Sequence, residues 1–410
     1  MSDTAKRVVI IGAGHAGGSA AALLRQYGWR GPITLIGAEP TVPYQRPPLS
    51  KAWLKGEQEL RDLLLRPENF YPDNRIELRL GCEVTAIDRP AGCVALSSGE
   101  RVAYDHLILA TGCHARALDI PGNQLAGVVG LRTLADADRL RPMLRVGVRI
   151  AIVGAGYIGL EVAASARTLG AEVVVIEREA RVLPRVASGP LSKFFQQRHT
   201  ADGVRIITGA SVEAIDGGRQ RVAAIRLSDG EEIACEAVLA GIGAAPNEAL
   251  ASAAGLTCDN GIQVDLAART ADPAIYAVGD CTHRLVPLYR RTCRLESVPN
   301  ALEQAKQAAA DLCGRPPPAP EVPWFWSDQY EVRLQIAGLP YDVAETVVRG
   351  DPGSASFSIF HLADDGTVQS VEAVNAPAEF MAGRMMIARR KQVVASRLAD
   401  VSCSIRELAG

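Results

Sequence analysis

Two glycine-rich turns constrain this chain more than any other feature. Gly12-Ala13-Gly14-His15-Ala16-Gly17 follows the β-branched run Arg7–Ile11 and leads into a small-residue stretch, Gly18–Tyr27. Gly154-Ala155-Gly156-Tyr157-Ile158-Gly159 follows Arg149–Val153 and leads into Leu160–Leu169. Short apolar runs of this kind predict buried parallel strands, and the stretches after them predict helices. Each helix is followed by a further strand with an acid near its end: Ile33–Ile36 with Glu39, and Glu172–Ile176 with Glu177. The spacing of 142 residues between Gly12 and Gly154 is far too long for a stacked-repeat protein and indicates one duplicated βαβ element.

The chemistry follows from the spacing. The first glycine of each turn (Gly12, Gly154) permits the tight bend, and the second (Gly14, Gly156) lets backbone approach a pyrophosphate. The third (Gly17, Gly159) lets helix and strand pack closely. Free N–H groups at the helix start then attract phosphate. A lone motif is a weak signal, because glycines also punctuate ordinary turns. Two copies, each between a strand and a helix, point to two dinucleotides: a tightly held flavin and a nicotinamide. Glu177 stands where a carboxylate bonds the ribose 2′-OH and repels a 2′-phosphate, which favours NADH over NADPH; Arg178 and Arg181 are close enough in sequence to weaken that preference. In the first copy Ala38, directly after Gly37, has no acceptor, and Glu39 is the candidate substitute.

Three more strand-to-turn segments, Leu107–Gly112, Ala237–Gly243 and Ala274–Asp280, complete the two units. Together with the two turns they hold ten of the 38 glycines in 410 residues, a content somewhat above the usual ~7%. A chain of this length implies about three domains. The expected fold is α/β: two Rossmann-type dinucleotide-binding domains and a C-terminal α+β domain. The flavin domain is discontinuous (1–112 and 243–320), the nicotinamide domain is inserted at 113–242, and the last domain covers 321–410. Pro316, Pro317, Pro318, Pro320 and Pro323 form a stiff connector. Beyond it Val332–Ile336, Ser356–Leu362 and Val368–Val374 predict an antiparallel sheet, and 378–398 a helical tail.

Composition excludes several functions. A net charge of −2 does not suit a general nucleic-acid binder. Nine scattered cysteines without a CxxC offer no metal site, no iron–sulfur site and no disulfide framework, so free thiols in a reducing cytoplasm are expected. Lys6-Arg7 before the apolar stretch 8–24 imitates a secretion signal, but its glycines and His15 suit a turn better, and no segment is long and apolar enough to span a bilayer.

Further motifs carry a resemblance to a known family. They are Val42-Pro43-Tyr44-Gln45-Arg46-Pro47-Pro48-Leu49-Ser50-Lys51, Ala110-Thr111-Gly112, Gly130-Leu131-Arg132-Thr133 and Gly154–Glu161. Gly279-Asp280, Glu296-Ser297-Val298-Pro299-Asn300-Ala301 and Pro323-Trp324-Phe325-Trp326-Ser327-Asp328-Gln329 follow. Over essentially its whole length the chain resembles the oxygenase-coupled ferredoxin reductases, a group that uses FAD and NADH, and the resemblance implies a fold of glutathione-reductase type. The resemblance implies Lys51 near the isoalloxazine, where a cation stabilises negative charge, Arg132 on the flavin side, Asp280 on the ribityl chain and Val298 under the ring. Val84 would touch the adenine, while Glu161 and Glu296 would lie by the nicotinamide. The family often has an acid in the slot of Ala38.

With these assignments the candidate catalytic residues are Lys51, Glu161, Glu296 and Trp326. The candidate cofactor contacts add Gly12, Gly14, His15, Ala16, Ala38, Glu39, Arg46, Val84, Ala110, Thr111, Gly112, Arg132, Asp280, Ser297 and Val298. Gly154, Gly156, Tyr157, Ile158, Gly159, Glu177, Gly243 and Gly279 complete the set, and no metal is expected. Thr41–Lys55 contains no cysteine, so neither the redox pair of the disulfide reductases nor the single thiol of the peroxidases is present there. Electrons must therefore leave FAD directly. The implied recipient is an acidic [2Fe–2S] ferredoxin serving a cytochrome P450 or a ring-hydroxylating dioxygenase. Its docking surface would be the arginines of 283–295 (Arg284, Arg290, Arg291, Arg294) and the basic C-terminal helix with Arg389-Arg390-Lys391. A monomer or weak dimer is expected. The alternatives are a rubredoxin or monodehydroascorbate reductase and a redox-gated binding flavoprotein of the apoptosis-inducing-factor kind.

Overall fold

A computed structural model describes residues 6–218 and 220–410. Contacts divide the chain into two compact units. The first comprises Met1–Gln45, Leu60–His114 and Ala245–Phe325, and the second Arg46–Glu59, Ala115–Ala244 and Trp326–Gly410.

The first unit is built on a parallel sheet in the order Ile275–Ala277, His106–Leu109, Val8–Ile11, Ile33–Gly37, Ile76–Leu80. Val8–Ile11 is buried along its whole length, as a strand covered on both faces must be. One face packs Ala16, Ala20, Ala21 and Leu24 of the helix His15–Gln26 and Ala301, Ala305 and Ala308 of the helix Val298–Leu312. The other face carries Ile87, Val94, Leu96 and Leu256. The proline-rich segment is not a free connector: Gln307 Nε2 donates to Pro318 O (3.3 Å), and Glu303 accepts from Glu321 N (3.0 Å).

The second unit repeats this plan. Its parallel sheet runs Arg205–Thr208, Glu172–Glu177, Arg149–Val153, Ala237–Ala240, Val128–Val129. It also holds a five-stranded sheet in the order Trp324–Gln329, Val332–Gly338, Val368–Val374, Ser356–Leu362, Glu345–Asp351, antiparallel from the second strand onward. The helix Pro377–Ala388 lies so close to this sheet that a Cβ on Gly383 would stand 2.6 Å from Val371 Cγ1.

Local differences from expectation have physical causes. Both glycine-motif helices begin three residues early, at His15 and Tyr157, because the middle glycine (Gly14, Gly156) is the N-cap and the third is already helical. The strand Glu345–Asp351 was not foreseen. The helical tail stops at Ala388 instead of Leu398, since Arg390 takes a left-handed φ of 51° and Lys391 N bonds Met386 O (2.8 Å). Arg390 N bonds Ile387 O (3.1 Å), which completes a Schellman stop. Short helices at Ala395–Ala399 and Ile405–Ala409 follow.

Candidate functional site

In the first unit the backbone makes the cradle. Gly12 has φ +108°, and a Cβ there would lie 2.1 Å from Ala110 O; a Cβ on Gly17 would lie 1.9 Å from Gly12 O. Only glycine fits either place. The helix His15–Gln26 has no side-chain cap and no acid in its first turn. Its first N–H groups are therefore free for a phosphate. His15 Nδ1 is buried there without a partner among the described residues, and burial pushes the imidazole pKa down. Asp280 opposes that shift and Arg66 adds to it, which puts both charges within electrostatic reach of the ring.

The other expected residues of this unit gather at the two ends of the cradle. Gly81 N and Cys82 N donate to the carbonyls of Glu39 and Gly37 (3.1 and 2.9 Å). The turn leading to Val84 is thereby held against the Ala38-Glu39 loop. Ala38 is exposed, and Glu39 accepts from Tyr44 O–H at 2.5 Å. At the other end a Cβ on Gly279 would be 3.0 Å from Ala16 Cβ, so Gly279 and Asp280 sit over the helix start. Thr111 is clamped by Asn247, whose carbonyl accepts from Thr111 Oγ1 (2.7 Å) and whose amide donates to Thr111 O (2.8 Å). Ser297 caps the helix that begins at Val298, bonding Asn300 N at 3.2 Å. Glu296 is exposed and paired with Arg294.

The second unit repeats the cradle with one addition. Gly154 (φ +105°) would place a Cβ 2.4 Å from Gly241 O, and Gly159 would place one 2.2 Å from Gly154 O. Gly156 faces open space with nothing within 4 Å, and its helix too lacks a side-chain cap. Glu177 closes the site by accepting from Ala155 N (2.8 Å) and Glu179 N (3.0 Å). Arg181 is turned away into the carbonyls of Pro184, Ala187 and Ser188, while Arg178 is exposed beside Glu179. Ile158 is 46% exposed at the helix start, Tyr157 O–H donates to Val186 O (2.9 Å), and Gly243 holds φ +102°.

Both cradles fit a dinucleotide: close backbone, a helix start without a side-chain cap and, in the first, a buried ring nitrogen with no partner among the described residues.

A polar centre within the second unit links several expected residues. Glu161, 3% exposed, accepts from Lys51 Nζ (2.6 Å), Ser50 Oγ (2.5 Å) and Ser327 Oγ (2.6 Å). Lys51 also donates to Pro47 O (3.0 Å), and Arg46 donates to Arg132 O (2.6 Å) just before the capping box Thr133–Asp136. Trp326 is half-buried; the fully buried positions of its strand are Ser327 and Gln329.

The basic surface is smaller than composition suggests. Arg284 is buried in an ion pair with Glu303 (2.5 Å) and bonded to Gln307, and only 11% of the Arg294 side chain is exposed. Arg290 and Arg291 are the exposed cations of that segment. His199, Asn247 and Gln304 escaped sequence reasoning, and Ser50, Ser327 and Gln329 stood in its motifs without a role. Gln304, whose Oε1 accepts from Gly279 N (2.6 Å), left a trace as a polar residue in an alanine stripe. No group of described residues could hold a metal, and no described helix is long and apolar enough to cross a membrane.

Comparison with known proteins gives a consistent set of similarities. Residues 6–305 match the pyridine nucleotide-disulphide oxidoreductase family, and 324–409 match the reductase C-terminal family. A probable ferredoxin reductase, CtmF of Castellaniella defragrans, is 50% identical over 406 residues, covering 98% of this chain and 99% of that protein. Rhodocoxin reductase of Rhodococcus erythropolis is 44% identical over 400 residues, covering 97% and 93%. The reductase in the crystal structure of the covalent putidaredoxin reductase–putidaredoxin complex superposes with a TM-score of 0.96 at 42% identity, covering 99% of this chain and 98% of that one.

Proposed function

The chain belongs to the pyridine nucleotide-disulphide oxidoreductase family as an FAD-dependent, NADH-using ferredoxin reductase, and from that premise we propose that it delivers electrons singly to a [2Fe–2S] ferredoxin serving a cytochrome P450 or a ring-hydroxylating dioxygenase. The observation that carries this reading is the pair of uncapped glycine cradles in a chain whose 41–55 segment has no cysteine. Two nucleotides can be held, and no thiol pair stands there to take electrons from the first. FAD, when bound, accepts an electron pair from the nicotinamide and releases it one electron at a time.

Gly12, Gly14, His15 and Ala16 hold the FAD pyrophosphate, Glu39 its ribose, Val84 its adenine and Asp280 its ribityl chain. Ala110, Thr111, Gly112, Gly279, Ser297 and Val298 shape the wall beside it. Arg46 fixes the backbone of Arg132 on the flavin side, and Lys51, held by Glu161, brings a cation to the ring. Gly154, Gly156, Tyr157, Ile158, Gly159 and Gly243 receive NADH. Support for NADH over NADPH comes from Glu177, fixed by two backbone N–H groups, and from Arg181, whose guanidinium is occupied by carbonyls. Glu296 and Trp326 attend the nicotinamide and the electron exit. Segments 1–112 with 243–320, 113–242 and 321–410 act as flavin, nicotinamide and C-terminal domains; residues 1–5 of the first lie outside the described residues.

The ferredoxin is acidic and docks near Arg290, Arg291, Arg294 and the Arg389-Arg390-Lys391 corner. The protein works in the cytoplasm, its nine cysteines free, as a monomer or weak dimer. Steady-state assays with alternative carriers test the reading. Rapid NADH-dependent reduction of a [2Fe–2S] ferredoxin is expected. Faster reduction of rubredoxin or monodehydroascorbate, or slow turnover with every carrier, overturns it.

A further inference from the structure

The strand Trp324–Gln329 turns two polar side chains, Ser327 and Gln329, into the interior of the second unit, each at most 1% exposed. Buried polar groups persist only where they are bonded, and these two belong to one continuous line. Ser327 Oγ lies 2.6 Å from Glu161 Oε1, and Gln329 Nε2 lies 3.1 Å from Ser327 Oγ. His199 Nε2 lies 2.8 Å from Gln329 Oε1, with Tyr330 O–H 3.4 Å from His199 Nδ1. His199 is fully buried on the helix Gly189–Ala201.

The carboxylate at one end dictates the polarity of the whole line. A carboxylate only accepts, so the Ser327 hydroxyl donates to it. Ser327 Oγ can then only accept from Gln329, which turns the amide nitrogen toward it and the amide oxygen toward His199. His199 must therefore carry its proton on Nε2. Burial lowers the pKa of this imidazole and leaves Nδ1 bare to accept from Tyr330. Every bond points toward Glu161, an arrangement in which each bond strengthens the next. Oε1 is thus filled from the sheet side, and Oε2 alone receives Lys51 and Ser50. Ser165 Oγ, bonded to Ser50 O (2.8 Å), fixes the turn that carries both of them.

We propose that Ser327, Gln329 and His199 are positioning residues that orient the Glu161 carboxylate and thereby set where Lys51 holds its ammonium group. This inference rests on the reading that Lys51 serves the flavin. Three flavin-loaded variants test it: Ser327→Ala, Lys51→Met and the double variant. Each is read by the flavin midpoint potential and by the stopped-flow rate of flavin reduction at saturating NADH. Ser327→Ala should lower that rate about tenfold, as a small misplacement of a catalytic group does, and should lower the potential, with KM for NADH within about twofold. On the Lys51→Met background the same substitution should change neither readout, although its cost in melting temperature persists. A Ser327→Ala effect of equal size on both backgrounds, or none on either, overturns the relay. A Lys51→Met protein with wild-type potential and rate overturns the underlying reading instead. Should Ser327→Ala not load flavin, Gln329→Leu breaks the line one bond further away and carries the same expectations.

Discussion

The two glycine-rich units share a backbone and part at the end of the second strand. Ile11 pairs with Ile36 in one, and Val153 with Ile176 in the other, so by register Gly37 stands where Glu177 does. Glu177 reaches back to bond Ala155 N. At Gly37 that route is closed, because even a Cβ would lie 2.5 Å from Ala13 Cβ. The first unit places its nearest acid two residues later, at Glu39, and fixes it through Tyr44. The glycines therefore shape a generic phosphate cradle, while the residues at the strand end decide what the cradle prefers.

The largest expected effects come from the feature the units share. Gly12→Ala and Gly154→Ala each force a Cβ to within 2.4 Å of a backbone carbonyl carbon or oxygen at a φ above +100°. Neither the strand behind nor the helix in front can yield cheaply. Gly12→Ala should yield protein with almost no bound flavin, measured as the ratio of flavin to protein absorbance. Gly154→Ala should keep its flavin and raise KM for NADH by about 100-fold or more, a loss of roughly 2.7 kcal/mol. If Gly154→Ala also strips the flavin, the two cradles are not independent.

Next come the strand ends, where the units differ. Glu177→Ala removes the proposed ribose acceptor together with its bonds to Ala155 and Glu179. KM for NADH should rise about tenfold, roughly 1.4 kcal/mol, with a smaller rise for NADPH. Equal effects on both coenzymes would mean that Glu177 shapes the loop and does not read the ribose. Glu39→Ala should act more weakly, loosening FAD about fivefold on equilibrium dialysis, because it leaves the glycine cradle intact. Tyr44→Phe, which removes that one bond and keeps Glu39, should sit between the variant and wild type.

How much of this was legible depends on how local its cause is. The cradles and their strands follow from short apolar runs and a steric need for glycine, both readable in sequence. The helix starts at His15 and Tyr157 were not, because glycine is a poor helix former and only tertiary packing places Gly17 and Gly159 inside a helix. The stop after Ala388 depends on Arg390 adopting a conformation more typical of glycine, which leaves no compositional signal. Arg284 reads as a surface cation until Glu303 and Gln307 are seen to enclose it. In the strand Trp324–Gln329 the tryptophans draw attention, yet the buried positions are a serine and a glutamine whose partners lie more than a hundred residues away.

The smallest expected effect concerns that buried line and separates the second unit from the first. Burial depresses the His199 pKa; the Gln329 bond and Asp202 oppose this, and Arg198 adds to it. The unfolded chain, with an ordinary value near 6.5, takes up its proton first as pH falls. Stability from a neutral His199 is therefore complete above about pH 6.5 and drains away as pH falls below it toward the folded value. His15 and His106, both lowered by burial in the first unit, act in the same direction, so the wild-type trend alone is not diagnostic. His199→Gln keeps an N–H donor for Gln329 but cannot titrate. Its melting temperature should fall less steeply than that of wild type between about pH 6.5 and 5, by a few degrees for a chain of this size. Parallel curves would mean that folding does not lower the His199 pKa, so that the folded protein takes up this proton as readily as the unfolded chain; Nδ1 would then turn from acceptor to donor over that pH range and break the one-way polarity of the line.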